Sequence, residues 1–182
     1  RLGDRDKYLE LRARRMELGV DYHDLATFYW EHGEKQKALQ VAEEGLGKAR
    51  GRMDELRLFV ADRAKEAGDR DKYMALQFEQ TVDDLTLNTY QAFKKMCRKD
   101  EWDRFEPRIL ARLGRAWRTE QLKIRMHRKE YDEAVALLAE KGYPLTRWDG
   151  GEEIRIAKRL EKRYPEEILT YYLSGLGSLT SN

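Results

Sequence analysis

A six-residue sequence, GDRDKY, occurs twice in this chain, at residues 3–8 and again at residues 68–73. The surrounding ten-residue windows, residues 2–11 and 67–76, share seven identical positions. The sequence has the character of a turn between two helices, because glycine favours the position after a helix end and aspartate favours a helix start. Its return 65 residues later indicates a supersecondary unit that is repeated along the chain.

Further turns of this kind occur between and beyond the two copies. In each, a helical stretch ends at glycine or a charged residue, an acidic turn follows, and a second amphipathic stretch begins. The turns contain Gly3, Gly33, Gly68, Asp100, Lys129 and Arg163. Their spacings are 30, 35, 32, 29 and 34 residues, and stacked helical hairpins have periods of about 20–45 residues. Pro165 fits this pattern, because proline is tolerated in the first turn of a helix.

Between the turns, apolar residues recur three and four positions apart, which is the spacing of one helix face. The clearest series are Tyr22, Leu25, Ala26 and Tyr29, then Ala38, Val41 and Ala42, then Ala134, Leu137 and Leu138. No stretch alternates apolar and polar residues for long enough to predict a strand. The chain is 38% charged and still 41% apolar, which is enough for a core. The sequence therefore predicts an all-α solenoid of about five helix pairs, with residues 1–182 forming a single domain.

The cysteine count and the hydropathy pattern bear on location. The single cysteine, Cys97, excludes an internal disulfide and suits a reducing compartment. The longest purely aliphatic run, residues 134–139, is far shorter than the ~20 residues of a membrane helix. We therefore predict a cytoplasmic protein that does not contact a membrane. Because the chain begins at Arg1, we expect it to be a piece of a longer polypeptide. Chain ends are often poorly ordered, so we also expect residues 175–182 to be frayed.

The sequence offers few residues in the patterns that catalysis or metal binding requires. His23, His32 and His127 are not spaced as metal ligands with one another or with Cys97. The DGGEE sequence at residues 149–153 follows no predicted strand and carries carboxylates, so we interpret it as a loop and helix start rather than a phosphate cradle. We expect no enzymatic activity, no cofactor and no metal site.

The charge of the chain is unevenly distributed. Residues 94–129 contain 13 Lys and Arg against 5 Asp and Glu, whereas both flanks are acidic. The aromatic residues Phe93, Trp102, Phe105 and Trp117 lie in or next to this basic segment. Three interpretations remain open: a surface for nucleic acid, a surface for an acidic peptide or protein, or a solvated helix face above core aromatics.

The sequence YHDLATFYWEHGEKQKALQVAEEGL at residues 22–46 resembles a tetratricopeptide repeat. The matching positions are Tyr22, Leu25, Ala26, Tyr29, Gly33, Ala38 and Ala42. KEYDEAVALL at residues 129–138 resembles the start of the second helix of that repeat, with Tyr131 and Ala134 in register. DEWDRF at residues 100–105 resembles the start of that helix less closely. The resemblance implies a right-handed α-α superhelix of stacked helix-turn-helix repeats.

The order of segments over most of the chain also resembles the carboxy-terminal helical region of bacterial SWIM zinc-finger proteins. The segments that carry this resemblance are ALQVAEEGL, GDRDKYMALQFEQ, TYQAFKKM, EWDRFEPRIL and RYPEEILTYYL. The zinc-binding cysteines of that family are absent, since Cys97 is the only cysteine. The resemblance therefore implies a helical region of a larger bacterial protein and no zinc site in this chain.

Residues for binding are expected on the concave side of the solenoid, which the first helix of each pair lines. The first-helix residues predicted to point off the core are His23, Thr27, Trp30, Asp62, Lys65, Tyr90, Lys94, Arg98, Lys123 and His127. Trp30 has an alternative position, packed against the neighbouring helix pair. The small number of asparagines argues against a carboxylate clamp of the tetratricopeptide type.

The function predicted from these observations is a non-catalytic protein–protein interaction scaffold. Its expected ligand is an acidic peptide, bound by a basic cluster of Lys94, Arg98 and Lys123 with help from Tyr90. Lys94 and Arg98 are four residues apart, which predicts that they share one helix face. The alternative is a nucleic-acid-binding module that uses residues 94–129, whose affinity would fall steeply with salt.

Overall fold

The structure is a computed structural model of the chain, and it describes residues 16–143 and 147–176. Within these ranges all regular secondary structure is helical, and extended pairing is limited to an isolated bridge between Leu18 and Arg50. The prediction of an all-α fold is confirmed. The predicted turn at Gly3 and most of the predicted frayed end, residues 177–182, lie outside the described residues.

The helices follow one another as helix-turn-helix pairs. In chain order they are α1 (Gly19–Glu31), α2 (Lys35–Lys48), α3 (Asp54–Glu66), α4 (Arg70–Asp83), α5 (Leu87–Met96), α6 (Lys99–Leu110), α7 (Arg118–Arg128), α8 (Tyr131–Lys141), α9 (Arg147–Leu160) and α10 (Pro165–Ser174). A 3₁₀ turn, Leu113–Arg115, lies between α6 and α7. Odd-numbered helices are thus the first members of their pairs, and Pro165 occupies the first position of α10 as predicted.

The chain divides into two compact units, the first ending at Asp83 and the second beginning at Asp84. The first unit contains the pairs α1–α2 and α3–α4, and the second contains α5–α6, α7–α8 and α9–α10. Each unit is described by itself. A single domain over residues 1–182 stays a prediction.

The turns within the pairs have the predicted chemistry. Gly33 and Gly68 connect α1 to α2 and α3 to α4 with φ angles of +81° and +76°, which glycine adopts without a Cβ penalty. Lys129 takes the same left-handed conformation between α7 and α8, with φ +64°. The carboxylate of Asp69 accepts a hydrogen bond of 3.1 Å from the Lys72 amide and caps the start of α4. The GDRDKY sequence at residues 68–73 is therefore a turn followed by a helix start.

Two predicted boundaries are displaced. The turn assigned to Asp100 lies at Cys97 and Arg98, where the ψ angles of 142° and 167° are extended, and Asp100 is already in α6. Cys97 consequently follows α5 rather than lying inside it. Helix α9 begins at Arg147 and includes residues 149–153, so the loop predicted there is wrong.

Of the predictions about cellular location, the structure bears only on the one that concerns the membrane. None of the helices within residues 16–143 and 147–176 combines the length and the apolar character that crossing a membrane requires. Cys97 is partly buried. A cytoplasmic location stays a prediction.

The core of the first unit lies where α1, α2 and α3 meet. The predicted packing residues Ala26, Ala38 and Ala42 are all 0% exposed. Small side chains let two helix backbones approach closely, and Gly45 of α2 continues this contact. A Cβ added at Gly45 would lie 2.5 Å from a ring carbon of Tyr22 on α1.

The second unit has a core between α7, α8, α9 and α10. Leu122, Ala134, Leu138 and Ile168 are completely buried there. The first pair of this unit packs through larger side chains. The rings of Tyr90 and Trp102 meet edge to face at 5.1 Å, and those of Phe93 and Phe105 meet at 5.4 Å, contacts worth about 0.5–1.5 kcal/mol each beyond their buried area.

Candidate functional site

In each unit, a groove opens between the first helices of consecutive pairs. The groove in the first unit, which we name the Trp30 groove, has a volume of about 340 Å³ and lies between α1 and α3. Its lining residues are His23, Thr27, Trp30, Glu31, Glu55, Leu58, Phe59, Asp62 and Arg63. The repeat register therefore gathers residues of α1 and α3 that are far apart in sequence on one surface.

Four of the five site residues predicted for the first unit line the Trp30 groove: His23, Thr27, Trp30 and Asp62. Lys65 does not. Its ammonium lies 5.7 Å from the ring centre of Tyr73 on α4, so it interacts with its own pair instead. Lys65 is therefore not among the residues that line this groove, and its place on a binding surface with the other four stays a prediction.

Aromatic contacts fix the shape of the Trp30 groove. Phe59 of α3 is buried and meets the His23 ring edge to face at 6.1 Å and the Trp30 ring at 5.9 Å. The Arg63 guanidinium lies 4.5 Å from the Trp30 ring centre and 4.8 Å from that of Phe59. Trp30 thus packs against the neighbouring helix pair, which is the alternative position that the sequence suggests, and it also lines the groove.

The groove in the second unit, which we name the Lys123 groove, has a volume of about 470 Å³. It collects side chains from the start of α5, from α7 and from α9, which are the first helices of three successive pairs. Its lining residues are Thr86, Leu87, Asn88, Glu120, Lys123, Met126, His127, Glu152, Ile156 and Arg159. Of the five site residues predicted for this unit, Lys123 and His127 lie in the groove.

Local hydrogen bonds hold the α5 end of the Lys123 groove. Thr86 and Thr89 cap the helix reciprocally, with amide-to-hydroxyl distances of 3.1 and 2.9 Å. The Glu120 carboxylate accepts a bond of 2.8 Å from the Leu87 amide at the positive end of α5. The same carboxylate accepts a bond of 2.7 Å from the Lys123 ammonium. Glu120 therefore connects α5 to α7 and fixes Lys123 in the groove wall.

Two further groove residues differ in how they are held. The His127 ring lies 3.3 Å from the Gln91 amide nitrogen and 6.1 Å from the Tyr90 ring centre. Arg159 is exposed, and within the described residues it makes no ion pair. Its guanidinium is available to an anionic ligand.

The predicted basic cluster does not form. Because α5 ends at Met96 and Cys97 is extended, Arg98 does not lie one helical turn above Lys94. The Lys94 ammonium lies 5.2 Å from the Trp102 ring centre, and Arg98 starts α6. Neither residue lines the groove that contains Lys123, so the predicted grouping of these three cations is wrong.

Tyr90 is a core residue rather than a ligand contact. It is 1% exposed. Its hydroxyl donates a bond of 2.5 Å to Glu106 and accepts one of 3.1 Å from Arg128, which also pairs with Glu106. Burial raises the pKa of Tyr90 above its usual range, with the Arg128 charge opposing. A partner on the surface cannot reach this ring.

Many cations of residues 94–129 already have acidic partners. Arg125 and Arg128 contact Glu130 at 3.5 and 2.6 Å, and Arg118 contacts Glu153 at 3.4 Å. Glu130 and Glu153 follow the basic segment in the sequence, so counting charges within it overstated the charge presented to a ligand.

The aromatic residues of this segment are mostly unavailable for stacking. Phe93, Trp102 and Phe105 are buried, whereas Trp117 is 83% exposed. This agrees with the interpretation that the aromatics of the basic segment form a core, and it leaves Trp117 as the one member of the four with an accessible ring.

Sequence reasoning missed the buried pair of Arg118 and Glu153. Arg118 also donates to the carbonyls of Leu138 and Gly142, at 3.2 and 3.1 Å, and satisfies the end of α8. Glu153 is 3% exposed and raises the pKa of the nearby Tyr171, which burial has already raised, to about 12. In the sequence, Glu153 belongs to the acidic DGGEE segment and looks like a surface carboxylate. Only the structure shows that it is buried. We interpret this network as structural.

Within residues 16–143 and 147–176, no three His, Cys, Asp or Glu side chains converge as ligands for a metal ion. In comparisons with known proteins, no family model, no curated protein and no solved structure matches the chain. The resemblances to tetratricopeptide repeats and to SWIM zinc-finger proteins stay predictions.

Proposed function

We propose that this chain is a non-catalytic protein-interaction module and that an acidic segment of a partner protein binds in the Lys123 groove. The observation that carries the proposal is the convergence of side chains from α5, α7 and α9 on one groove of about 470 Å³. Ligand sites usually occupy about 300–1,000 Å³ and combine an apolar floor with a few convergent polar groups. The placement of this module in a larger bacterial protein, which the SWIM resemblance implies, is part of the proposal.

The polar residues of the groove suit an extended acidic peptide. The Asn88 side chain offers both a donor and an acceptor to a peptide backbone. Arg159 and His127 supply donors for carboxylates, and the Arg159 guanidinium matches a carboxylate in two-point geometry. Met126 and Ile156, which are 8% and 2% exposed, form the apolar floor of the groove.

Existing ion pairs determine which cations carry the binding. Glu120 offsets the charge of Lys123, and Arg155 offsets Glu152 at a distance of 2.8 Å. Arg159 therefore provides the uncompensated positive charge of the groove, with Lys123 contributing a second donor. Nucleic acid is disfavoured as a ligand because most aromatics of the basic segment are buried and several of its arginines are paired.

The test is a matched pair of double neutralisations. Lys123→Gln with Arg159→Gln removes two charges from the groove, and Lys94→Gln with Arg98→Gln removes two from the same unit outside it. Affinity is measured by fluorescence anisotropy with labelled peptides that alternate Glu and Leu, with Lys in place of Glu as the reversed probe. Hydrogen bonds to charged groups contribute about 1.5–3 kcal/mol each, so the groove variant should bind the acidic peptide at least about tenfold more weakly.

Three results would contradict this proposal. The two double variants could lose equal affinity, which would mean diffuse attraction to the basic segment. The acidic peptide could fail to bind the wild-type chain. A labelled single-stranded oligonucleotide could bind instead, with a logarithm of affinity that falls linearly with the logarithm of salt, which would establish the nucleic-acid alternative.

A further inference from the structure

The Trp30 groove is lined by more acidic than basic side chains, whereas the Lys123 groove is lined by two of each sign. Three carboxylates line it, from Glu31, Glu55 and Asp62, and the cation in its wall is Arg63. The Arg63 guanidinium lies against the Trp30 and Phe59 rings and 3.5 Å from Glu66, which is outside the groove. The formal charge of the lining is thus negative.

Two of these carboxylates are not compensated within the chain that the structure describes. Glu31 and Asp62 make no ion pair or hydrogen bond there, and Glu55 approaches Arg52 only at 3.9 Å. Arg52 is engaged more closely by Asp54, at 2.9 Å. The rim of the groove therefore presents carboxylates that a cationic ligand can neutralise without displacing an internal partner.

The same groove exposes apolar surface. Leu58 is 55% exposed and lines it beside the half-buried Trp30, with Phe59 buried beneath. An exposed Leu and a Trp edge flanked by carboxylates match a side chain that carries apolar carbon next to a positive charge. Covering exposed apolar area of this kind with an apolar side chain of a partner is favourable.

We propose that the Trp30 groove binds a cationic amphipathic segment of a partner protein. An apolar side chain of that segment packs on Leu58 and Trp30, and its Lys or Arg side chains pair with Glu31 and Asp62. Charge complementarity selects this occupant, because phosphate groups of a nucleic acid and an acidic peptide are repelled by the same carboxylates. This site is separate in its residues and in its ligand charge from the one in the proposed function.

The experiment measures binding of a labelled amphipathic peptide, with Leu on one side and Lys on the other, to the whole 182-residue chain. A peptide with Glu in place of every Lys is the reversed probe. The groove variants are Glu31→Gln with Asp62→Asn, which removes the charges, and Leu58→Ala, which removes the apolar contact. The matched control is Glu43→Gln with Glu44→Gln, two exposed carboxylates of α2 outside the groove.

Neutralising Glu31, Glu43 or Glu44 is expected to leave the fold intact. Glu31 is the last residue of α1, where a negative charge opposes the helix dipole, so its neutralisation does not weaken the helix. Glu43 and Glu44 form surface ion pairs with Lys72 and Lys48, and exposed pairs of this kind contribute little to stability. Circular dichroism and the melting temperature verify each variant before binding is measured.

The expected result is that the wild-type chain binds the labelled Lys peptide and that an excess of unlabelled Glu peptide does not displace it from the Trp30 groove. Both groove variants should weaken binding of the Lys peptide at least about fivefold, and the Glu43 and Glu44 control should leave it unchanged. The Lys123→Gln, Arg159→Gln variant should also leave it unchanged, which separates this site from the Lys123 groove.

Four outcomes overturn the proposal. The Lys peptide does not bind. Unlabelled Glu peptide displaces the labelled Lys peptide as effectively as unlabelled Lys peptide does. The control variant loses as much affinity as the groove variant, which shows diffuse electrostatic attraction. Leu58→Ala has no effect while spermine, an amine without an apolar side chain, displaces the peptide completely, which shows a site for small polyamines rather than for an amphipathic segment.

Discussion

The contact between α1 and α2 at Gly45 gives the sharpest stability prediction. Glycine inside a helix usually costs about 0.5–1 kcal/mol relative to alanine, so Gly→Ala in a helix usually stabilises. At Gly45 the added Cβ would lie 2.5, 2.6 and 2.8 Å from three carbons of Tyr22. One of these is the Tyr22 Cβ, which moves only with the backbone of α1. Gly45→Ala should therefore destabilise the chain.

The magnitude follows from the two opposing effects. Overpacking a core usually costs about 1–3 kcal/mol, and the helix preference of alanine offsets about 0.5–1 kcal/mol of that. We expect Gly45→Ala to lower the free energy of unfolding by about 1–2 kcal/mol. With a urea dependence of about 2 kcal/mol per molar, the denaturation midpoint should fall by about 0.5–1 M.

Gly47 is the matched control. It lies in the same helix two residues later, it is exposed, and an added Cβ would meet nothing within 4 Å. Gly47→Ala should raise the free energy of unfolding by about 0.5 kcal/mol, because only the helix preference acts there. Urea denaturation followed by far-ultraviolet circular dichroism compares both variants with the wild type. If Gly45→Ala stabilises as Gly47→Ala does, α1 and α2 do not approach each other as described.

Three further changes probe the second unit. Ala134→Leu should lower the free energy of unfolding by about 1–3 kcal/mol, because Ala134 is completely buried between helices, and an unchanged urea midpoint would refute the helix register. Arg118→Ala should cost about 3–5 kcal/mol, because it leaves Glu153 buried without its cation, whereas a loss near zero would show that the pair is solvated. Burial raises the pKa of Tyr171 from 10.0 to about 12, so its contribution to stability is complete below pH 10 and is lost as the pH rises through 12. Tyr171→Phe should remove this part of the alkaline loss, measured as urea midpoints at about pH 8 and pH 11, and an identical pH dependence of the variant would contradict it.

The candidate site was only partly predictable. Helix register alone predicts one shared surface for four residues of the first unit, and these residues do line one groove: His23, Thr27, Trp30 and Asp62. Register succeeds within an unbroken helix because residues three and four apart share a face.

Lys94 and Arg98 show where register fails. Their shared face required one continuous helix, and the chain leaves the helical conformation at Cys97. No glycine or proline marks that end in the sequence. A helix that ends without these residues is the least predictable feature of a repeat array.

The sequence by itself determined the helical fold class, the glycine turns after α1 and α3, and the small residues between paired helices. These depend on neighbours within a few residues, namely a glycine at φ +81° or +76°, a capping aspartate and a repeating small residue. Caps and glycine turns of this kind depend on residues only a few positions apart, so they can be read from the sequence.

Tertiary structure alone decided which charged and aromatic groups remain available to a ligand. Tyr90 is removed from the surface by Glu106 and Arg128, which are 16 and 38 residues away, and Glu153 neutralises Arg118 from across the unit. Opposite charges pair by distance in space and not by separation in sequence, so a local excess of arginine does not predict the field at the surface. Glu31 and Asp62 remain available to a ligand for the corresponding reason, since no cation among the described residues forms an ion pair with them.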